Sequence, residues 1–164
     1  MLDLVQHAEA IAKPWAELYS DSAWAKTIVV FLHLGGMLAA GGFAVSADRA
    51  TLRLGRLNEG ERLAFVRELG ELHRPVLIGL VVVVVSGLAM LFGDLETLLP
   101  SATFWVKMAA FALLLVNGLT LRRAERRCNA DGGAGAWRSL HRAALRSATL
   151  WFAVVFLGAM LASS

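Results

Sequence analysis

The sequence predicts an all-α membrane protein, a four-transmembrane-helix bundle preceded by an N-terminal amphipathic helix. Two observations predict this class. Hydrophobic residues make up 57% of the 164-residue chain and the mean hydropathy is +0.60, above the composition typical of soluble domains. The apolar residues also collect into four runs, each close to the ~20 residues that a helix needs to cross a ~30 Å hydrocarbon core.

The first predicted element is a surface helix within residues 1–22. Its apolar side chains recur at helical spacing, at Leu4, Val5, Ala8, Ile11 and Trp15. A helix with one apolar face lies along a membrane surface rather than crossing it. We therefore expect residues 1–22 to lie on the outer surface and residues 23–164 to form the transmembrane domain.

The four runs predict spans at about 25–47, 74–93, 101–121 and 143–163. A helix is expected in each, because a backbone in lipid must satisfy its own hydrogen bonds. Pro75 is expected in the first turn of the second span, where its missing N–H costs nothing. A separate short helix is predicted over 61–72, along the inner face.

Arginines predict the orientation of the spans. Thirteen of the 16 basic residues are arginines in the stretches 49–74 and 122–146. Basic loops stay in the cytoplasm, so both termini are expected outside it. Because these arginines flank apolar spans, we interpret them as topology determinants and contacts for the lipid bilayer, and we expect no nucleic-acid partner. Cys128 is alone in the second stretch and forms no metal motif.

Two ionisable residues lie within the predicted spans. His33 is 14 residues from Ala47, and Lys107 is 14 residues from Leu121, the last uncharged residues on the inner side. At ~1.5 Å per residue, both lie about 21 Å from that boundary and share one level of the bilayer. Ionisable groups at membrane depth are costly, which makes both residues candidates for function.

Each candidate also has a structural interpretation. Gly36 and Ala40 share the helix face of His33, where small residues allow close helix packing or leave a slot for a flat macrocycle. Lys107 either extends to the outer headgroups or points inward with Asn117. His73 and His141 lie near the inner ends of the second and fourth spans. They are either ordinary interfacial residues or the paired ligands of a second haem.

Three segments resemble a known group of proteins. They are Leu32-His33 with the small residues that follow, Phe104-Trp105-Val106-Lys107-Met108, and Asn117-Gly118. Together they resemble small four-helix bacterial membrane proteins related to the copper-resistance D domain and to the membrane-bound, haem-containing protoporphyrinogen oxidase family. The resemblance covers about 25–125, and residues 37–49 lack the tryptophan and proline of the oxidases.

The resemblance implies a multi-pass protein of the bacterial inner membrane, with periplasmic termini and one haem b. In the oxidase family, a histidine and a lysine at the positions of His33 and Lys107 are associated with haem. The predicted function is electron transfer or redox chemistry involving a quinone or a porphyrin in the bilayer. Lys107 would be a second ligand or a counter-charge for a propionate. The alternatives are a non-catalytic accessory subunit of a larger membrane complex, and copper handling with Met37 beside His33.

Overall fold

The computed structural model describes residues 2–54, 58–131 and 133–163, and nearly all of them are helical. The order of elements is α1 (Leu2–Asp21), α2 (Ala23–Arg53), α3 (Glu59–Gly93), α4 (Leu95–Leu98), α5 (Ala102–Asp131) and α6 (Ala134–Ala162). The part of the chain so described contains no β-strand. The predicted all-α class is confirmed.

Four of these helices are long and apolar enough to cross a membrane. They are α2, α3, α5 and α6. At most 28% of the most apolar stretch of each helix is buried within the protein. Large apolar side chains therefore face outward, among them Phe31, Leu38 and Phe152, which are 71%, 78% and 69% exposed. Such surfaces suit contact with lipid rather than water.

The second span begins earlier than predicted. The expected short helix at 61–72 and the expected span at 74–93 are one continuous helix, α3. It starts at a reciprocal capping box, in which the Glu61 N–H donates to Asn58 Oδ1 at 2.9 Å and the Asn58 N–H donates to Glu61 Oε2 at 3.0 Å. The placement of Pro75 in a first turn was wrong, because Pro75 lies inside α3. A helix in this setting tolerates the lost backbone bond when its neighbours hold it.

The arginine-rich stretches are also helical rather than loops. α5 continues to Asp131 and α6 begins at Ala134, so Cys128 lies in a helix and is fully buried. These helix ends have a packed apolar face beneath their arginines. Its buried residues form one cluster, consisting of Leu54, Val66, Leu69, Ala124, Cys128 and Leu140. Burial of this face is the physical reason why the helices extend beyond the apolar windows.

The described residues fall into two compact units. Unit 1 comprises residues 1–40 and 77–101, and unit 2 comprises 41–76 and 102–164. In unit 1, α1 packs on α3 through Trp15, whose Nε1 donates to the Ala89 carbonyl at 2.8 Å. The ring of Tyr19 lies against Gly93 in the same unit, so closely that a Cβ on Gly93 would overlap it.

The packed face of α1 differs in part from the predicted apolar face. Ala12 and Tyr19 are buried, whereas Ile11 is 80% exposed. Ile11, predicted on the apolar face of this helix, is thus not part of the packed face of α1. The side chains of Leu4, Val5 and Ala8 lie outside the described residues.

Candidate functional site

His33 is held at a fixed orientation between α2 and α3 of unit 1. Its Nδ1 lies 3.0 Å from Ser86 Oγ and 3.2 Å from the Val83 carbonyl oxygen. Gly87 makes room for the ring, since a Cβ there would lie 3.3 Å from His33 Cε1. Val83 and Ser86 are themselves buried. The imidazole is thus anchored through one nitrogen by two groups of α3.

The hydrogen-bonding partners assign the proton of the imidazole. The Val83 carbonyl can only accept, and the hydroxyl of Ser86 donates to the Val82 carbonyl at 2.6 Å. Both partners of His33 Nδ1 therefore act as acceptors, so Nδ1 carries the hydrogen. In a neutral imidazole the other nitrogen, Nε2, then has the lone pair. Histidines that ligate metals are generally held in this way, with the second ring nitrogen donating to a carbonyl or similar acceptor.

The small residues after His33 pack helix against helix. A Cβ on Gly36 would lie 3.1 Å from the Gly79 carbonyl oxygen, and a Cβ on Gly79 would lie 2.9 Å from the Ala40 Cβ. Ala40 is fully buried. Of the two uses that the sequence left open, close packing of α2 on α3 is the one that this face displays. The same contact fills the slot where a macrocycle was considered.

Lys107 belongs to unit 2 and is described by its own surroundings there. Its Nζ lies near α6, 3.6 Å from the position that a Cβ on Gly158 would take. About two and three turns farther along the same face, Leu114 and Asn117 are buried. Asn117 donates to the Ala143 carbonyl at 2.9 Å, which is a polar contact between α5 and α6. Lys107 thus occupies the face of α5 that packs on α6.

The two remaining candidate ligands have different environments in unit 2. His73 Nε2 lies 2.6 Å from Glu125 Oε2, and Glu125 is almost fully buried. His141 instead lines a basic cleft with arginines of α3 and α6. A short contact to a carboxylate uses the nitrogen of His73 that usually binds haem iron. The second haem therefore stays a prediction from the sequence.

A buried carboxyl was missed in the sequence analysis. Asp48, on α2, is 1% exposed, and its Oδ2 has no hydrogen-bond partner within the described structure. Ser147 of α6 hydrogen-bonds the same carboxyl, and Glu125 of α5 is close enough to repel it. In the sequence, Asp48 directly follows Ala47, the last uncharged residue of the first predicted span. Asp48 and Thr51 are one helical turn apart and both are buried. The signal that the sequence offered was this helical spacing, which places the two polar residues on one face of α2.

Comparison with family models, with curated proteins and with solved structures finds no match to this chain. The described residues also contain no group of three or more His, Cys, Asp or Glu side chains placed to hold a metal ion. Any cofactor must therefore be argued from individual side chains. Among these, His33 is the residue whose surroundings resemble those of a metal ligand.

Proposed function

We propose that the protein binds one b-type haem through Nε2 of His33 and transfers electrons between a quinone or a porphyrin in the bilayer and an acceptor. One observation carries the proposal, namely the anchoring of His33 Nδ1 by the Val83 carbonyl and Ser86 Oγ. This arrangement fixes the ring and the tautomer, as the outer hydrogen bonds of metal-ligating histidines generally do.

Unit 1 contains one side chain suited to ligate a haem, His33, and its helix packing leaves no space for a haem on the face of Gly36 and Ala40. A single imidazole on a membrane helix is a common axial ligand, and bound haem supplies a one-electron couple whose potential depends on ligand and burial. The face of Gly36 and Ala40 is filled by α3 and does not belong to the proposed site. The chain's own contribution is to hold the imidazole, and Ser86 and Val83 perform it.

The proposed location is the bacterial inner membrane with both termini in the periplasm. It is supported by four helices that are long and apolar enough to span and by the positions of the arginines. Cysteine reporters at the exposed positions Ser20, Ser163 and Arg138, placed in a Cys128→Ser background, test the orientation. A membrane-impermeant maleimide applied to spheroplasts is expected to label the first two and not the third. The reverse pattern would contradict the orientation.

Absorption spectroscopy tests the haem. The protein, expressed with ample haem and purified in mild detergent, is expected to show a Soret band and sharp reduced α and β bands. His33→Ala is expected to abolish these bands. His141→Ala is the matched control, because it removes an exposed imidazole of unit 2. With one haem on His33 the spectrum is expected to stay unchanged, whereas a partial loss of absorbance would support the second haem.

A second variant separates ligation from folding. Ser86→Ala keeps the imidazole but removes one of its two acceptors, so we expect haem to be retained with an altered reduction potential. A Soret band that persists in His33→Ala would refute His33 as the ligand. A colourless wild type would refute the haem itself. His33 would then be an interhelical packing residue, as expected of an accessory subunit.

A further inference from the structure

A basic cleft lies at the arginine-rich end of unit 2, and none of its lining residues takes part in the haem proposal. Its volume is about 260 Å³, and its basic lining comes from Arg62 of α3 and from Arg138, His141 and Arg142 of α6. Among the described residues that line it, none is acidic. Three guanidinium groups around one small volume repel one another, and a negatively charged ligand between them lowers that repulsion.

Arg62 is held in position at this cleft. Its Nε donates to the Leu54 carbonyl at 2.9 Å, and its Cζ lies 5.9 Å from the centroid of the Trp137 ring. The side chain is therefore fixed by a hydrogen bond and by a cation–π contact, each of which reduces the ordering needed when a ligand binds. The planar guanidinium groups of the arginines in this cleft are suited to two oxygens of one anion.

The beginning of α6 adds positive potential to the same place. Trp137 and Arg138 lie in or next to its first turn, and both line the cleft. The N-cap residue is Gly133, which has no side chain that could cap the helix. The first backbone N–H groups of a helix attract negative charge, and of these the N–H groups of Ala136 and Trp137 already donate to the Gly133 carbonyl.

We propose that this cleft binds a phosphate group, and that the source of the phosphate is the headgroup of an anionic phospholipid. Phosphate matches the bidentate geometry of arginine. Leu54, Leu140 and Trp137 supply an apolar wall, which suits the glycerol and upper acyl chain of a lipid better than a free ion. The cleft also lies just beyond the predicted spans, at the depth of lipid headgroups. The inference is independent of the haem.

Lipid binding to the purified protein tests the cleft. Phosphatidylglycerol is titrated into the detergent-solubilised protein, and bound lipid is counted by native mass spectrometry, with phosphatidylcholine as the neutral comparison. The double variant R138Q/R142Q is expected to weaken phosphatidylglycerol binding about tenfold, because two charge-assisted contacts are lost. The matched control is R122Q/R123Q, which removes the same charge from exposed positions of α5 outside the cleft. We expect less than about a twofold change there.

Three results decide the outcome. Equal weakening in both double variants would overturn the proposal, because it would show diffuse attraction to the whole basic end. Equal binding of phosphatidylglycerol and phosphatidylcholine by the wild type would overturn it as well. Inorganic phosphate distinguishes the sources of the ligand. If millimolar phosphate fails to displace the lipid, the lipid is the ligand as proposed, whereas full displacement would overturn the lipid assignment in favour of a free phosphate. All four arginines are exposed, so the variants are expected to fold, and thermal unfolding verifies this.

Discussion

The buried carboxyl of Asp48 permits a quantitative test of the packing in unit 2. Ser147→Ala removes the side chain that hydrogen-bonds this carboxyl, whose Oδ2 already has no partner. A buried polar atom left unpaired costs about 1–3 kcal/mol. For a chain of 164 residues, each kcal/mol corresponds to about 2–4 °C in Tm. We therefore expect Ser147→Ala to lower the Tm by at least ~2 °C.

The double variant Asp48→Leu/Ser147→Ala is expected to recover that loss. Replacing both partners of a buried hydrogen bond by apolar groups of similar shape is nearly neutral or stabilising. It also removes the repulsion between Asp48 and the neighbouring Glu125. The double variant is thus expected to be at least as stable as the wild type, which gives a favourable coupling energy of about 1–3 kcal/mol in the cycle.

The assay is thermal unfolding in detergent, followed by circular dichroism for the wild type, the two single variants and the double variant. The expected result follows if the buried carboxyl of Asp48 lowers the free energy of unfolding and makes no favourable interaction that the fold requires. A double variant less stable than Ser147→Ala would refute it, because the carboxyl would then contribute a favourable interaction. A single Asp48→Leu variant with an unchanged Tm would agree with it.

Three further predictions concern single residues. Gly79→Ala places a methyl group 2.9 Å from α2 and is expected to lower the free energy of unfolding by about 1–3 kcal/mol. Gly35→Ala is the control, because its methyl group meets nothing within 4 Å, and it is expected to leave the Tm unchanged. Equal effects of the two variants on the Tm would argue against the close contact between α2 and α3. Trp15→Phe removes the hydrogen bond from the indole to α3 and is expected to speed amide hydrogen exchange in α1. Trp24→Phe is the control, because Trp24 is 78% exposed, and it is expected to leave that exchange unchanged. Cys128 is fully buried, so maleimide labelling should be more than about tenfold slower in detergent than in denaturant; fast labelling would show that the core around it opens.

The number and type of the spans follow from the sequence because lipid leaves the backbone few choices. Uncharged runs near 20 residues must be helices, and four such helices are present. The ends of the helices were harder to predict. α3 and α5 extend past their apolar runs because Val66, Leu69 and Cys128 bury one side of otherwise charged segments. A count of charges cannot show that face, whereas helical spacing can.

The candidate site was predictable only in part. Membrane depth selected His33, but its contacts with Val83 and Ser86 join positions 50 and 53 residues apart, which no local pattern reveals. The sequence left two interpretations of Gly36, close helix packing or a slot for a macrocycle. Only the position of Gly79 on a different helix distinguishes them. Asp48 was missed because charge at the end of a span usually means exposure. Its burial comes from α5 and α6, which are distant in sequence.

The bond from Trp15 to Ala89 spans 74 residues, and this separation orders events during synthesis. The first helix leaves the ribosome long before its partner exists, so α1 cannot pack on α3 until α2 and most of α3 have been synthesised. The contacts of His33 likewise cannot form before residues 83 and 86 have been added. All residues of unit 1 are present once residue 101 has been translated, whereas unit 2 is complete only after α6 has been translated. The packing of α1 on α3 through Trp15 therefore cannot form until the part of α3 that contains Ala89 has been synthesised.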